Sequence, residues 1–117
     1  ADRMFGDAGA DVFVFGAAGH SNAAGGIDHI LGLDALDRID LSAIDANGGL
    51  AGNGTFAFSA GNAGAAFDGT AGRIRMTYDT GTYTFQADIN GDRTADFELR
   101  VDMAWGEGWL DLGSLIL

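Results

Sequence analysis

Fifteen aspartates and two glutamates stand against six arginines and no lysine, and the spacing of some of those aspartates points to cation chemistry. Gly6-Asp7-Ala8-Gly9-Ala10-Asp11-Val12-Phe13-Val14 reads as the G-G-x-G-x-D-x-U-x nonapeptide, with Asp7 in place of the second glycine. Asp2-Arg3-Met4 repeats its second half nine residues earlier. The glycine half of such a repeat makes a tight turn in conformations that a Cβ disfavours, which turns carbonyl oxygens inward. The aspartate adds a carboxylate to the same cage, and the apolar residue two positions on anchors a short strand. Each turn supplies about half of a six- to eight-oxygen shell, which suits Ca²⁺ better than the smaller, stricter Mg²⁺. The alternative is an ordinary β-turn without an ion. A second oxygen-rich segment places Asp88, Asn90, Asp92 and Asp96 at the first, third, fifth and ninth positions of an EF-hand-like loop. Against that pattern, Arg93 stands where the sharp-turn glycine is usual and Leu99 where a bidentate glutamate is usual. Asn90-Gly91 also reads as a type I′ hairpin turn, and the two readings are compatible.

These residues need a β framework. The chain has 117 residues, 47% of them apolar, enough for one domain with a real core. Twenty glycines and no proline describe a turn-rich β protein, and the absence of cysteine excludes disulfides, thiolate metal sites and a cysteine nucleophile. A net charge of −11 argues against nucleic acid or an anionic membrane as the default partner, and it invites divalent cations as counter-charge. No apolar run is long enough to span a bilayer, and the first residues do not read as a signal peptide. The nonapeptide pattern decays through Gly16-Ala17-Ala18-Gly19-His20-Ser21, where the phase slips by one residue. Because one copy is already under way at Asp2, further repeats are expected upstream in a longer protein.

Beyond the repeats, Ile39–Ser42 alternates, and Ser42 is placed to cap a brief turn through Ile44-Asp45-Ala46. Thr55–Ser59 is a candidate strand with both phenylalanines on one face. A three-stranded antiparallel meander is expected between Gly72 and Asp102. Its apolar faces are Ile74, Met76 and Tyr78; Tyr83, Phe85, Ala87 and Ile89; and Phe97, Leu99 and Val101. Loops are expected over 46–54 and 60–72.

The order of these motifs resembles the C-terminal domain of the serralysin family of secreted bacterial metalloproteases. The residues that carry the resemblance are Asp28-His29-Ile30, Asp37 to Asn47, Gly52-Asn53 before Phe56-Ala57-Phe58, Gly72-Arg73-Ile74-Arg75, and Asp88 to Asp92 before Ala95-Asp96-Phe97. It implies an all-β fold in which a truncated parallel β-roll of the RTX type (1–31) leads into an antiparallel, β-rich C-terminal cap (32–117). It also implies a secreted, non-catalytic Ca²⁺-binding module that folds outside the cell and ends in a type I secretion signal. The implied partners are the type I secretion apparatus, through the C-terminal tail, and the upstream roll and catalytic or adhesive domain of the parent chain. By this resemblance the carbonyls of Gly6 and Ala8 and the carboxylate of Asp11 form one half-site, Asp28 faces it from another turn, and Asp2 belongs to the preceding half-site. Ser114 stands near the end where family tails carry an acid, with Asp111 the nearest carboxylate. The family's zinc motif H-E-x-x-H is absent, and neither His20 nor His29 is followed by Glu. A rival reading makes the chain a carbohydrate or cell-surface binding module in which Trp105 and Trp109 stack on a sugar; those rings would otherwise cover an open end of the sheet.

Overall fold

The computed structural model describes residues 1–46, 54–58, 66–103 and 115–116. Among the described residues nine strands form: β1 (Arg3–Phe5), β2 (Val12–Val14), β3 (Asp28–Leu33), β4 (Arg38–Asp40), β5 (Ala57–Phe58), β6 (Arg73–Asp79), β7 (Thr82–Asp88), β8 (Phe97–Met103) and β9 (Leu115–Ile116). The only helical element among the described residues is a single 3₁₀ turn at Ala18–His20. The fold is all-β.

Successive strands at the start of the chain alternate between two sheets. In the larger, six-stranded sheet the order is β1-β3-β8-β7-β6-β5; in the smaller it is β2-β4-β9. β1 lies parallel to β3 with Arg3 opposite His29, and β2 lies parallel to β4 with Val12 opposite Arg38. The chain therefore winds as a parallel roll, β1 to β2 in the first coil and β3 to β4 in the second. β8 then adds to β3 in parallel, and β9 to β4 in parallel, which completes a third coil. The parallel stacking thus runs on past residue 31. The meander from β6 to β8 is antiparallel at both of its pairings, and its last strand is also a strand of the roll.

Alternation explains how the meander forms. Ile74, Tyr83, Phe85, Ala87, Phe97, Leu99 and Val101 are buried on one face, while Arg75, Thr84, Gln86, Glu98 and Arg100 point the other way. Tyr78 keeps its register opposite Tyr83 but is exposed at the hairpin end. Ile30, Leu33, Ile39 and Leu41 from the roll join the same core, and the Phe15 ring meets Phe97 edge-on at 5.4 Å between centroids. Phe56 is buried and Phe58 partly so, with exposed Ala57 between them, as their alternation predicts.

The chain turns between Tyr78 and Tyr83, as the expected meander requires, while two details of turn chemistry differ from the sequence reading. The type I′ hairpin is Thr80-Gly81, closed by the Asp79–Thr82 pair, with φ of 49° and 90° at its two central residues. Asn90-Gly91 is not a two-residue turn: Asn90 has no positive φ, and the connection runs from the Ala87–Phe97 pair through nine intervening residues. After β4, the cap of the 42–44 turn is Asp40, whose carboxylate accepts both the Ser42 N–H and the Ser42 hydroxyl.

Candidate functional site

The aspartates of the roll stack coil on coil with a period of 26 residues. Asp2 N–H donates to Asp28 Oδ1 at 2.7 Å, and Asp11 N–H donates to Asp37 Oδ1 at 2.9 Å. Each first-coil aspartate also accepts at its carbonyl from the residue after its partner: His29 N–H to Asp2 O, and Arg38 N–H to Asp11 O. One arrangement therefore occurs twice, once before each sheet. An aspartate at the start of a second-coil strand lends its carboxylate to the backbone of the coil above.

That arrangement revises the expected pairing. Asp28 sits under Asp2, not opposite Asp11, and the residue opposite Asp11 is Asp37. Asp37 is fully buried and takes a second N–H, from Asp34, on Oδ2. Asp28 is 5% exposed; its own N–H donates to the buried Ser21 hydroxyl, and its Oδ1 lies 3.9 Å from the amino group of Ala1. The Ser21 hydroxyl in turn donates to the Glu98 carbonyl, so the excursion between β2 and β3 is tied to the third coil. Sequence reasoning missed Asp37. The signal was available as Asp2-Arg3-Met4-Phe5-Gly6 against Asp28-His29-Ile30-Leu31-Gly32, but at a spacing of 26 rather than nine.

The glycines stack in the same register. A Cβ at Gly6 would lie 2.6 Å from Asp37 Oδ2 and 3.1 Å from the Gly32 carbonyl oxygen, and one at Gly32 would meet the Gly6 carbonyl oxygen at 3.1 Å. Gly32 also has φ of 77°. Only residues without a side chain allow the two turns to approach this closely. Ala8 is exposed in the same turn as Gly6, and the carboxylates of Asp2 and Asp11 have no hydrogen-bond partner among the described residues. The donor set is thus all oxygen, with carbonyls, two uncommitted carboxylates and two that also hold backbone N–H groups, and this set fits a hard cation. No group of three or more His, Asp or Glu side chains suited to a metal is found among the described residues. A cage built mainly of carbonyls with one carboxylate per turn would not form such a group, and the carboxylates of Asp88, Asp92 and Asp96 do not form one either.

The second oxygen-rich segment is drawn together as one loop. Asp88, fully buried, accepts N–H bonds from Gly91 and Asp92 on one oxygen and from Arg93 on the other. Asp96 accepts from the N–H groups of Ile89 and Asn90 and from the Asn90 side-chain amide. Asn90 Oδ1 accepts from Asp92 N–H, and Asp92 Oδ1 from Thr94 N–H. Arg93, the residue that broke the expected glycine pattern, adopts φ of 69° and makes the turn a glycine would make. Gly91 packs against the neighbouring loop, where a Cβ would meet the Gly69 carbonyl oxygen at 2.8 Å.

Trp105, Trp109, Asp111 and Ser114 lie outside the described residues. His20 is exposed on the 3₁₀ turn, and His29 lies on the outward face of β3, with Nε2 3.1 Å from Asp102 Oδ2. That contact is an ion-pair distance without hydrogen-bond geometry.

No curated protein matches the chain. The family model described as the Peptidase M10 serralysin C terminal matches residues 1–106, which span the first two coils of the roll and the whole meander, and the chain belongs to that family.

Proposed function

We propose that this chain is a non-catalytic Ca²⁺-binding module of a larger secreted protein such as a metalloprotease, folding on calcium outside the cell and carrying a C-terminal type I secretion signal. The observation that carries this reading is the stacked coil geometry, in which two glycine turns in 26-residue register leave Asp2 and Asp11 with uncommitted carboxylates. Gly6, Ala8 and Asp11 would supply one half-shell. Asp37, whose Oδ1 holds the Asp11 N–H, is proposed in place of Asp28 as its facing carboxylate, with Asp2 and Asp28 as the equivalent pair one half-coil earlier. Asp88, Asn90, Asp92 and Asp96 are proposed as a second cage.

Ordering a residue costs on the order of 1.5 kcal/mol, and glycine loses more freedom than any other residue. Strands of three residues bury too little to offset that alone. An ion that binds only the folded form adds about 2.7 kcal/mol at a hundredfold excess over its dissociation constant. Extracellular modules bind calcium at about 10⁻⁴–10⁻³ M, so the roll would stay loose in a calcium-poor cytoplasm and close outside. The tail takes part in that closure, because Leu115–Ile116 pairs with β4.

Calorimetric Ca²⁺ titration of the full chain, with far-ultraviolet circular dichroism in chelator and in millimolar calcium, tests the reading. Saturable binding with a gain of β signal is expected. Asp11→Ala should remove one site, and Asp88→Ala the other. Flat heats and identical spectra in the two solutions would overturn it.

A further inference from the structure

Four of the six arginines, Arg3, Arg73, Arg75 and Arg100, occupy outward positions on the larger sheet. The same outward rows carry Asp79, Asp88, Glu98 and Asp102, so this face is close to charge balance in a chain of net charge −11. That face carries a shallow groove of about 340 Å³ lined by His29, Asp79, Thr82, Thr84 and Arg100. The register explains the grouping: His29 pairs with Arg100 and Arg100 with Thr84, while in the next row Asp102 pairs with Thr82 and Thr82 with Asp79.

The polar groups in the rows beside this groove are committed, while several of those lining it are not. Arg75 donates to Gln86 at 2.8 Å and Gln86 donates to Glu98 at 3.1 Å, which closes one row. Asp102 accepts from the Thr82 hydroxyl at 2.6 Å and faces His29. Arg100 is exposed and has no hydrogen bond or ion pair among the described residues. Among the described residues, Asp79 accepts only the hydroxyl of the adjacent Thr80. An uncommitted guanidinium and an acceptor carboxylate therefore stand on β8 and β6, two strand spacings across and two residues along, about 12 Å apart, with threonine hydroxyls between them.

We propose that this groove binds a polysaccharide bearing uronic acids. A ring carboxylate would engage the Arg100 fork, the geometry for which guanidinium is suited. The hydroxyls of that ring and the next would meet Thr84 and Asp79, and the span accommodates one to two pyranose rings. One carboxylate per ring matches one free arginine. A nucleic acid would bring a dense row of phosphates to a chain of strong net negative charge, with few cations to release counterions. The proposal uses no calcium ligand and stands apart from the calcium reading.

The test is to titrate the isotope-labelled chain, in calcium, with a uronic-acid trisaccharide too short to gel, and to follow amide shifts by NMR. A neutral trisaccharide and a triglutamate peptide serve as comparison ligands. Saturable shifts confined to β3, β8, β7 and β6, weakened by salt, are expected with the uronate. Arg100→Ala should weaken binding about tenfold, the loss of one charge-assisted contact, without disturbing amides elsewhere. Arg38→Ala, on the smaller sheet, should leave binding unchanged. The proposal fails if the uronate gives no saturable shifts, if Arg100→Ala binds as well as the parent chain, or if the neutral sugar binds equally. Equal binding of triglutamate would make the groove an acidic-peptide site and overturn it as well.

Discussion

Strands of three residues hold the first coil of the roll, whereas strands of seven build the meander, and the two regions meet at β8. In the meander each strand presents three or so apolar residues to a common core, and cross-strand neighbours fix the register over the full length of each pairing. The first coil has one half-buried residue per strand, Met4 or Phe13, and leaves Phe5, Val12 and Val14 more than half exposed. What it has instead is the pair of carboxylates beneath it, Asp28 and Asp37, holding the backbone of Asp2 and Asp11. Burial organises one region and charge-assisted hydrogen bonds to the backbone organise the other. A region of the second kind remains sensitive to whatever else binds its oxygens.

The largest effect should come where the two regions share a core. Phe85 is fully buried at the centre of β7, and Phe85→Ala is expected to cost about 3–5 kcal/mol, a large fraction of a typical domain's stability. Because β8 packs both ways, chemical denaturation followed by circular dichroism should show meander and roll lost in one transition. Two separated transitions in the parent chain would break the comparison at its root, since the roll would then unfold without the shared core noticing.

A smaller and more local loss is expected from Asp37→Ala. It strips the acceptor from the N–H groups of Asp11 and Asp34, and hydrogen bonds to charged groups contribute about 1.5–3 kcal/mol. Hydrogen exchange should speed at Asp11, Asp34 and Arg38 while amides of β6 and β7 stay protected. Uniform acceleration across the meander would mean that the carboxylate supports the whole domain rather than its roll.

How much of this was legible in the sequence follows the same division. The meander was readable because period-two alternation is local: Tyr83, Phe85 and Ala87 announce their face without reference to anything distant. The turn chemistry was misassigned because Asn90-Gly91 has the stronger hairpin signature, whereas Thr80, a β-branched residue, takes the left-handed position that the tight β6–β7 hairpin imposes. The roll was half readable. Gly6 and Asp11 identify the turn, but the excursion through the 3₁₀ turn and Ser21 lengthens the step from β2 to β3 and destroys the nine-residue phase that would have led to Asp37. The third coil could not be read at all, because its strands, β8 and β9, are separated from the second by the inserted meander and are joined to it only through tertiary pairing.

The smallest expected effect is acid sensitivity at two exposed turns, one in each region. Asp40, at the end of β4, has its carboxyl held below the ordinary range by the Ser42 hydroxyl and then by the Ser42 N–H, with burial opposing weakly. Asp68, ahead of β6, is lowered by the Thr70 N–H first and the Thr70 hydroxyl second, with Arg73 adding a little attraction. In both cases the folded state holds its proton less tightly than the unfolded chain, whose value is about 3.9. Each turn therefore contributes stability that is complete above that value and is lost as pH falls through the lower folded value. Carbon-detected NMR titration of the carboxyl groups reads both at once. Ser42→Ala should move Asp40 upward by removing its largest cause, and Thr70→Ala should move Asp68 less, because there the backbone N–H leads and survives the substitution. Equal movement at the two sites would contradict that order of causes and would show the hydroxyl, not the backbone, to be the main partner in both turns.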